Sequence, residues 1–180
     1  MNEKKICERF AQSLKHWMPR RLMLMMKVLI CGDSYADERY GGPVRGYGNA
    51  GITWIELLRK DYSVDCVGQA GDSNVEILAQ MLKHRQPYHR AIVHLTTLDR
   101  GGDVKRSIKA VRKILSFDYV YAWSIYPEFM DTKNVDWQPF VAYNEAYIGL
   151  ENHDFTGCHF TQEGNYALYE HMKHIIKYKF

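Results

Sequence analysis

The chain has 180 residues, a net charge of +3 with histidine neutral, 46 % hydrophobic residues and 25 % charged residues. That length suits one domain with its own core better than two, and the balance excludes a disordered or fibrous chain. A net charge this small does not by itself argue for a nucleic-acid partner. Cys7, Cys31, Cys66 and Cys158 are widely spaced and form no C-x-x-C pair, which points to neither a zinc site nor a disulfide framework and suits a reducing compartment. No run of about 18 apolar residues occurs, so no membrane span is expected. Residues 20–26 begin with two arginines and continue apolar, but Lys27 cuts the run and no small-residue cleavage site follows. The chain is therefore read as cytoplasmic.

Taken in chain order, Ile6, Phe10, Leu14 and Trp17 have helical spacing, so residues 3–18 read as a short amphipathic helix ended by Pro19. Residues 1–26 are read as a helical extension and residues 27–180 as the domain proper. Lys27 to Cys31 reads as a buried strand ended by Gly32. Residues 35–50 hold four glycines, Pro43 and three tyrosines and read as a long irregular loop, of a length that is usually functional or mobile. Thr53 with Glu56 makes a capping box for a helix whose Trp54, Leu57 and Leu58 face inward. Val64 to Val67 is a second strand. Ser73 with Glu76 opens a helix to about Leu82, and Ala91 to Leu95 is a third strand. After the Gly101–Gly102 turn, Asp103 caps a helix with Val104, Ile108, Val111 and Leu115 directed inward. Tyr119 to Trp123 is a fourth strand, residues 138–149 read as helical, and Thr161 caps a last helix to about Lys177. Strands alternating with helices imply parallel βαβ units in a doubly wound α/β sheet, whose ligands bind beyond the carboxyl ends of the strands.

Three blocks of polar residues fall at such ends. In the first, an apolar strand runs directly into Gly32-Asp33-Ser34. A serine at that turn presents its hydroxyl outward, with backbone N–H groups at hand for an oxyanion. Alone, the tripeptide is weak evidence and reads better as a polar turn ending a strand. In the second, Gly71 permits close backbone approach, and Asn74 in the first helical turn offers an amide donor; a glycine turn with a Ser73 cap explains part of this block. In the third, Asn152 to Gly164, His159 is the best-placed general base because imidazole titrates near working pH.

Together the blocks resemble the SGNH (GDSL-like) hydrolase family, in a divergent branch, over the length from Lys27 to the C-terminus. Gly32-Asp33-Ser34 is similar to the family's first block, Gly71 to the second-block glycine, and His159 to Gly164 to the histidine block; Trp54 to Leu58 resembles the helix between the first two. The resemblance implies a three-layer αβα sandwich of flavodoxin-like order and hydrolysis of a small acyl ester, acetyl on a carbohydrate being one candidate. It implies Ser34 as nucleophile, His159 as base, and Gly71, Asn74 and Thr96 around the substrate, with no cofactor and no metal. Two positions depart from the family pattern. Leu98 stands where a donor asparagine is usual, with Thr96 at the adjoining glycine position, so Asn74 is expected as substitute donor. Thr156 stands where the triad acid is usual, so Asp154, two residues further back, is expected to orient His159, with a loop carbonyl as the alternative. These departures keep open a catalytically weak or inactive binding domain.

Other polar groups carry less. His171 and His174 lie one helical turn apart without a carboxylate partner, which favours a solvated face over a metal site. His84, His89 and His94 recur every five residues, a spacing that does not align on a helix. Lys105, Arg106, Lys109, Arg112 and Lys113 make one basic helix face, for which a solvated outer face is the favoured reading; a nucleic-acid or phosphate-rich partner is the minority reading, because no aromatic residues interleave the charges. An interaction protein using this helix and the N-terminal one is the third reading.

Overall fold

A computed structural model describes residues 26–38, 52–84, 88–137 and 162–179. The expected helices over 3–18 and 138–149, most of the 35–50 loop, and Asp154, Thr156 and His159 lie outside these residues.

Among the described residues five strands form one parallel sheet in the order β2-β1-β3-β4-β5: β1 Lys27–Cys31, β2 Ser63–Cys66, β3 Arg90–His94, β4 Val120–Ser124 and β5 Val135–Trp137. This is the doubly wound arrangement of flavodoxin-like order, in which direction reverses between β1 and β3. Among the described residues four α-helices accompany it: α1 Trp54–Leu58, α2 Asn74–Lys83, α3 Val104–Ile114 and α4 Gln162–Tyr178. The strands alternate their faces, as pleating demands. Val28 and Ile30 join Ile92 and Trp123 in a core with Trp54, Ile55 and Leu58 of α1 and Leu168, Met172 and Ile176 of α4. Leu29 and Cys31 join Ala91 and Val93 in a second core with Ile77 and Met81 of α2 and Val111 and Ile114 of α3. The result is three layers, α1 and α4 on one side of the sheet and α2 and α3 on the other.

Local chemistry sets the helix starts. The reciprocal Thr53–Glu56 and Ser73–Glu76 boxes are both formed, and the Asp103 side chain accepts from the Arg106 N–H. The inward face of α3 differs from its sequence reading. Val104 is 43 % exposed, and the buried positions are Ser107, Ala110, Val111 and Ile114. Hydrophobicity alone passes over serine and alanine, yet two small side chains let α3 lie close against α2, and the Ser107 hydroxyl accepts from Asn74 at 3.0 Å. Strand β5 has only three residues and follows Asn134, whose φ is +68°; so short a run carries no readable alternation.

Candidate active site at the carboxyl edge of the sheet

Beyond β1 the chain turns at Gly32, whose φ is +149°. A Cβ there would meet Ala36 Cβ and His94 Cβ at 2.8 Å, so only glycine lets the end of β1 pass this close to the end of β3. Ser34 opens a single 3-10 turn, Ser34–Ala36, capped by Asp33, whose Oδ1 accepts from the Tyr35 N–H at 3.1 Å. Ser34 is half-buried. Among the described residues neither its hydroxyl nor its backbone N–H enters a hydrogen bond.

The loop after β2 is fastened to this turn. The Gln69 N–H donates to Gly32 O at 2.9 Å, and the Ala70 N–H donates to Asp37 Oδ2 at 2.9 Å. Gln80 of α2 grips both sides of the Gly32 residue: its Oε1 accepts the Gly32 N–H at 3.0 Å, and its Nε2 donates to Gly32 O at 3.2 Å and to Asp72 Oδ2 at 2.7 Å. Next to Asp72, Gly71 has φ +92° and open space where a side chain would stand. Its N–H is likewise unspent among the described residues. Two unengaged backbone donors, at Ser34 and Gly71, thus sit on adjoining, mutually bonded loops.

Asn74 occupies a different place from the one expected of a substrate donor. It is fully buried. Its Nδ2 donates to Thr96 O at 2.8 Å and to Ser107 Oγ at 3.0 Å, with Thr97 O at 3.3 Å, while its Oδ1 accepts the Thr96 N–H at 3.1 Å. An amide has two protons, and both are used inside the protein. Asn74 therefore pins the backbone that leaves β3, and no donor remains for an oxyanion. Thr96 is fully buried beside Asp33 and Tyr126. Leu98 packs its side chain against the α2–α3 core and donates its N–H to Glu128 Oε1 at 3.0 Å.

The sequence reading missed the centre of this edge. His94 ends β3 with no exposed surface, and its Nδ1 lies 2.8 Å from Oδ1 of the equally buried Asp33. Around the imidazole stand the rings of Trp123, Tyr35 and Tyr126, with centroids at 4.4, 5.2 and 6.0 Å; Nε2 has no hydrogen-bond partner among the described residues. Tyr126 OH reaches Asp33 Oδ2 at 3.4 Å, and Arg100 Nη1 stands 4.0 Å from the same oxygen. Burial on its own would raise the Asp33 pKa, but the His94 charge, the His94 hydrogen bond and the Tyr35 N–H outweigh it and bring the carboxyl down to about 2. A carboxylate is thus fixed in the residue directly before Ser34. Burial and that carboxylate push the Tyr126 phenol upward, which keeps it a neutral donor. The one available sequence signal was topological: with β1 and β3 adjacent and parallel, a residue just past β1 must meet the end of β3.

The remaining candidates are structural in their surroundings. Burial raises the thiol pKa of Cys31 and of Cys66, which removes thiolate character. His171 Nε2 lies 3.1 Å from Asp136 Oδ2, and the His174 ring meets that of Tyr178 at 4.8 Å with the planes tilted by 46°. Among the described residues no three His, Cys, Asp or Glu side chains converge on one point, and no helix is long and apolar enough to cross a membrane.

No protein-family model matches the sequence, and no curated protein sequence matches it significantly. The fold is similar to that of EstA, a psychrotrophic esterase from Pseudoalteromonas sp., in a structure inhibited by monoethylphosphonate. The TM-score is 0.56 at 17 % identity, covering 84 % of this chain and 96 % of EstA. The likeness is one of fold, and it extends over nearly all of the esterase.

Proposed function

We propose that this chain is an ester hydrolase of the SGNH type with Ser34 as nucleophile. The observation that carries the reading is that, among the described residues, the N–H groups of Ser34 and Gly71 and the Ser34 hydroxyl are unspent on two mutually bonded loops at the carboxyl edge of the sheet. The fold shared with an esterase supports the same reaction class. In this reading His159 accepts the Ser34 proton as the hydroxyl attacks the ester carbonyl, and the two backbone donors hold the tetrahedral oxyanion. The alcohol leaves with a proton from His159, and water activated by the same base releases the acid. Asp154 orients His159. Asp33 fixes the turn that presents Ser34, and Asn74 fixes the end of β3. The substrate is a small acyl ester, acetylated carbohydrate being one candidate, and the reaction calls for no cofactor.

A binding module without turnover is the second reading. It is favoured by the side-chain donors: Asn74 spends its amide internally and Leu98 has none, so the hole rests on backbone alone. A fluorophosphonate probe separates the two. Wild-type protein labelled at Ser34, with labelling and aryl-ester hydrolysis absent in Ser34→Ala and His159→Ala but only reduced in Asp154→Ala, supports the enzyme. A folded wild-type protein that takes no label refutes it and leaves the binding module.

A further inference from the structure

Helix α3 carries a charge pattern that works against its own stability. Lys105, Arg106, Lys109, Arg112 and Lys113 are all exposed, and the helix contains no acidic residue. Arg112 and Lys113 lie in the last turn, where the helix dipole welcomes cations, but Lys105 and Arg106 lie in the first turn, where it disfavours them. Lys109 stands three or four residues from each of Lys105, Arg106, Arg112 and Lys113, and like charges at those spacings repel. Among the described residues none of the five has a carboxylate within ion-pair distance. Lys113 alone has a side-chain partner, the ring of Phe117 with its centroid 4.9 Å away. Asp103 faces the backbone N–H of Arg106, not its side chain. A pattern that costs the fold and is left uncompensated inside it fits an external anion.

The density of charge indicates which one. The stripe from Lys105 to Lys113 spans about 12 Å of helix axis. Duplex DNA presents about seven phosphates over the same length, a line density comparable with five cations. The absence of interleaved aromatic residues counts against single strands, whose bases need stacking platforms, but not against a duplex backbone, which is held by charge alone. A membrane surface fits less well, because the apolar side of α3 is turned onto α2 and the sheet, leaving Val104 at one end as its exposed large apolar residue. We propose that the outer face of α3 is a docking surface for duplex nucleic acid, engaged through phosphates without sequence readout. The proposal is independent of the chemistry at Ser34.

The test is fluorescence anisotropy of a labelled mixed-sequence DNA duplex with the full chain. Neutralising five phosphates gives a salt slope of about −4.5, so affinity falls about 500-fold between roughly 50 and 200 mM salt. Lys109→Gln with Arg112→Gln leaves three contacts, and the same salt interval then costs about 40-fold. The double variant keeps or raises the melting temperature, because the like-charge pairs are gone, so weaker binding cannot be ascribed to unfolding. No binding at the lower salt, or an unchanged slope in the double variant, overturns the proposal. Binding to phosphatidylglycerol vesicles with none to the duplex also overturns it.

Discussion

Asp33 offers a direct reading of how much one buried carboxylate, with all the groups that hold it, contributes to the fold. Its carboxyl goes from an ordinary 3.8 to about 2 in the folded protein. Each unit of such a shift corresponds to about 1.4 kcal/mol of preference for the charged form, so the ionised group stabilises the native state by about 2 kcal/mol. Because the folded value is the lower one, this contribution is complete above about pH 4 and disappears as pH falls through about 2. The side chain has no exposed surface, so solvent screening takes little from it. Asp33→Asn preserves the shape and the oxygen that accepts from Tyr35 and His94 but removes the charge. Urea unfolding of both proteins across the acid range should give a stability difference of about 2 kcal/mol near pH 5 that closes towards zero near pH 2. The subtraction cancels the other carboxylates. A difference that stays constant through the window, or grows as the solution is acidified, would refute the assignment of a charged, His94-held Asp33.

Two further substitutions test the frame around Ser34. Gly32→Ala places a Cβ 2.8 Å from the Cβ atoms of Ala36 and His94 at a positive φ; a loss of about 2–3 kcal/mol in thermal or urea unfolding is expected, and an unchanged melting temperature would show that β1 can withdraw from β3. Asn74→Ala strands the Thr96 N–H and O in the interior and should cost about 2–4 kcal/mol of stability; a variant of wild-type stability that has lost only turnover would return Asn74 to the role of substrate donor.

Much of the frame was legible because it is written in short-range chemistry. Thr53 with Glu56, Ser73 with Glu76, and Asp103 mark helix starts by side chains that satisfy N–H groups within three residues, a relation visible without a fold. The strand at Lys27–Cys31 was legible because an apolar run ending in glycine leaves few alternatives. What stayed hidden depends on contacts between distant segments. Asp33 and His94 are 61 residues apart, and His94 stands in a periodic series with His84 and His89 that suggested nothing. Asn74 looked like a free donor because its position in the helix is local information, whereas its partners Thr96, Thr97 and Ser107 arrive from the next strand and helix. Gln80 carried no signal at all, since a mid-helix glutamine ordinarily faces solvent and here closes on the Gly32 backbone. The inward face of α3 was misjudged because close helix packing selects small side chains, which a hydrophobic stripe does not count.

The two outermost strands have a bearing on how this protein behaves at high concentration. An open sheet ends in rows of unpaired backbone groups that can recruit a strand from another molecule. Here β2 and β5 span only Ser63–Cys66 and Val135–Trp137, and each carries an aspartate, Asp65 and Asp136, with Lys179 Nζ 3.9 Å from the latter. A newcomer would gain a few ladder bonds at most against strands this short. Among the described residues, growth of the sheet from molecule to molecule is thereby discouraged at both rims.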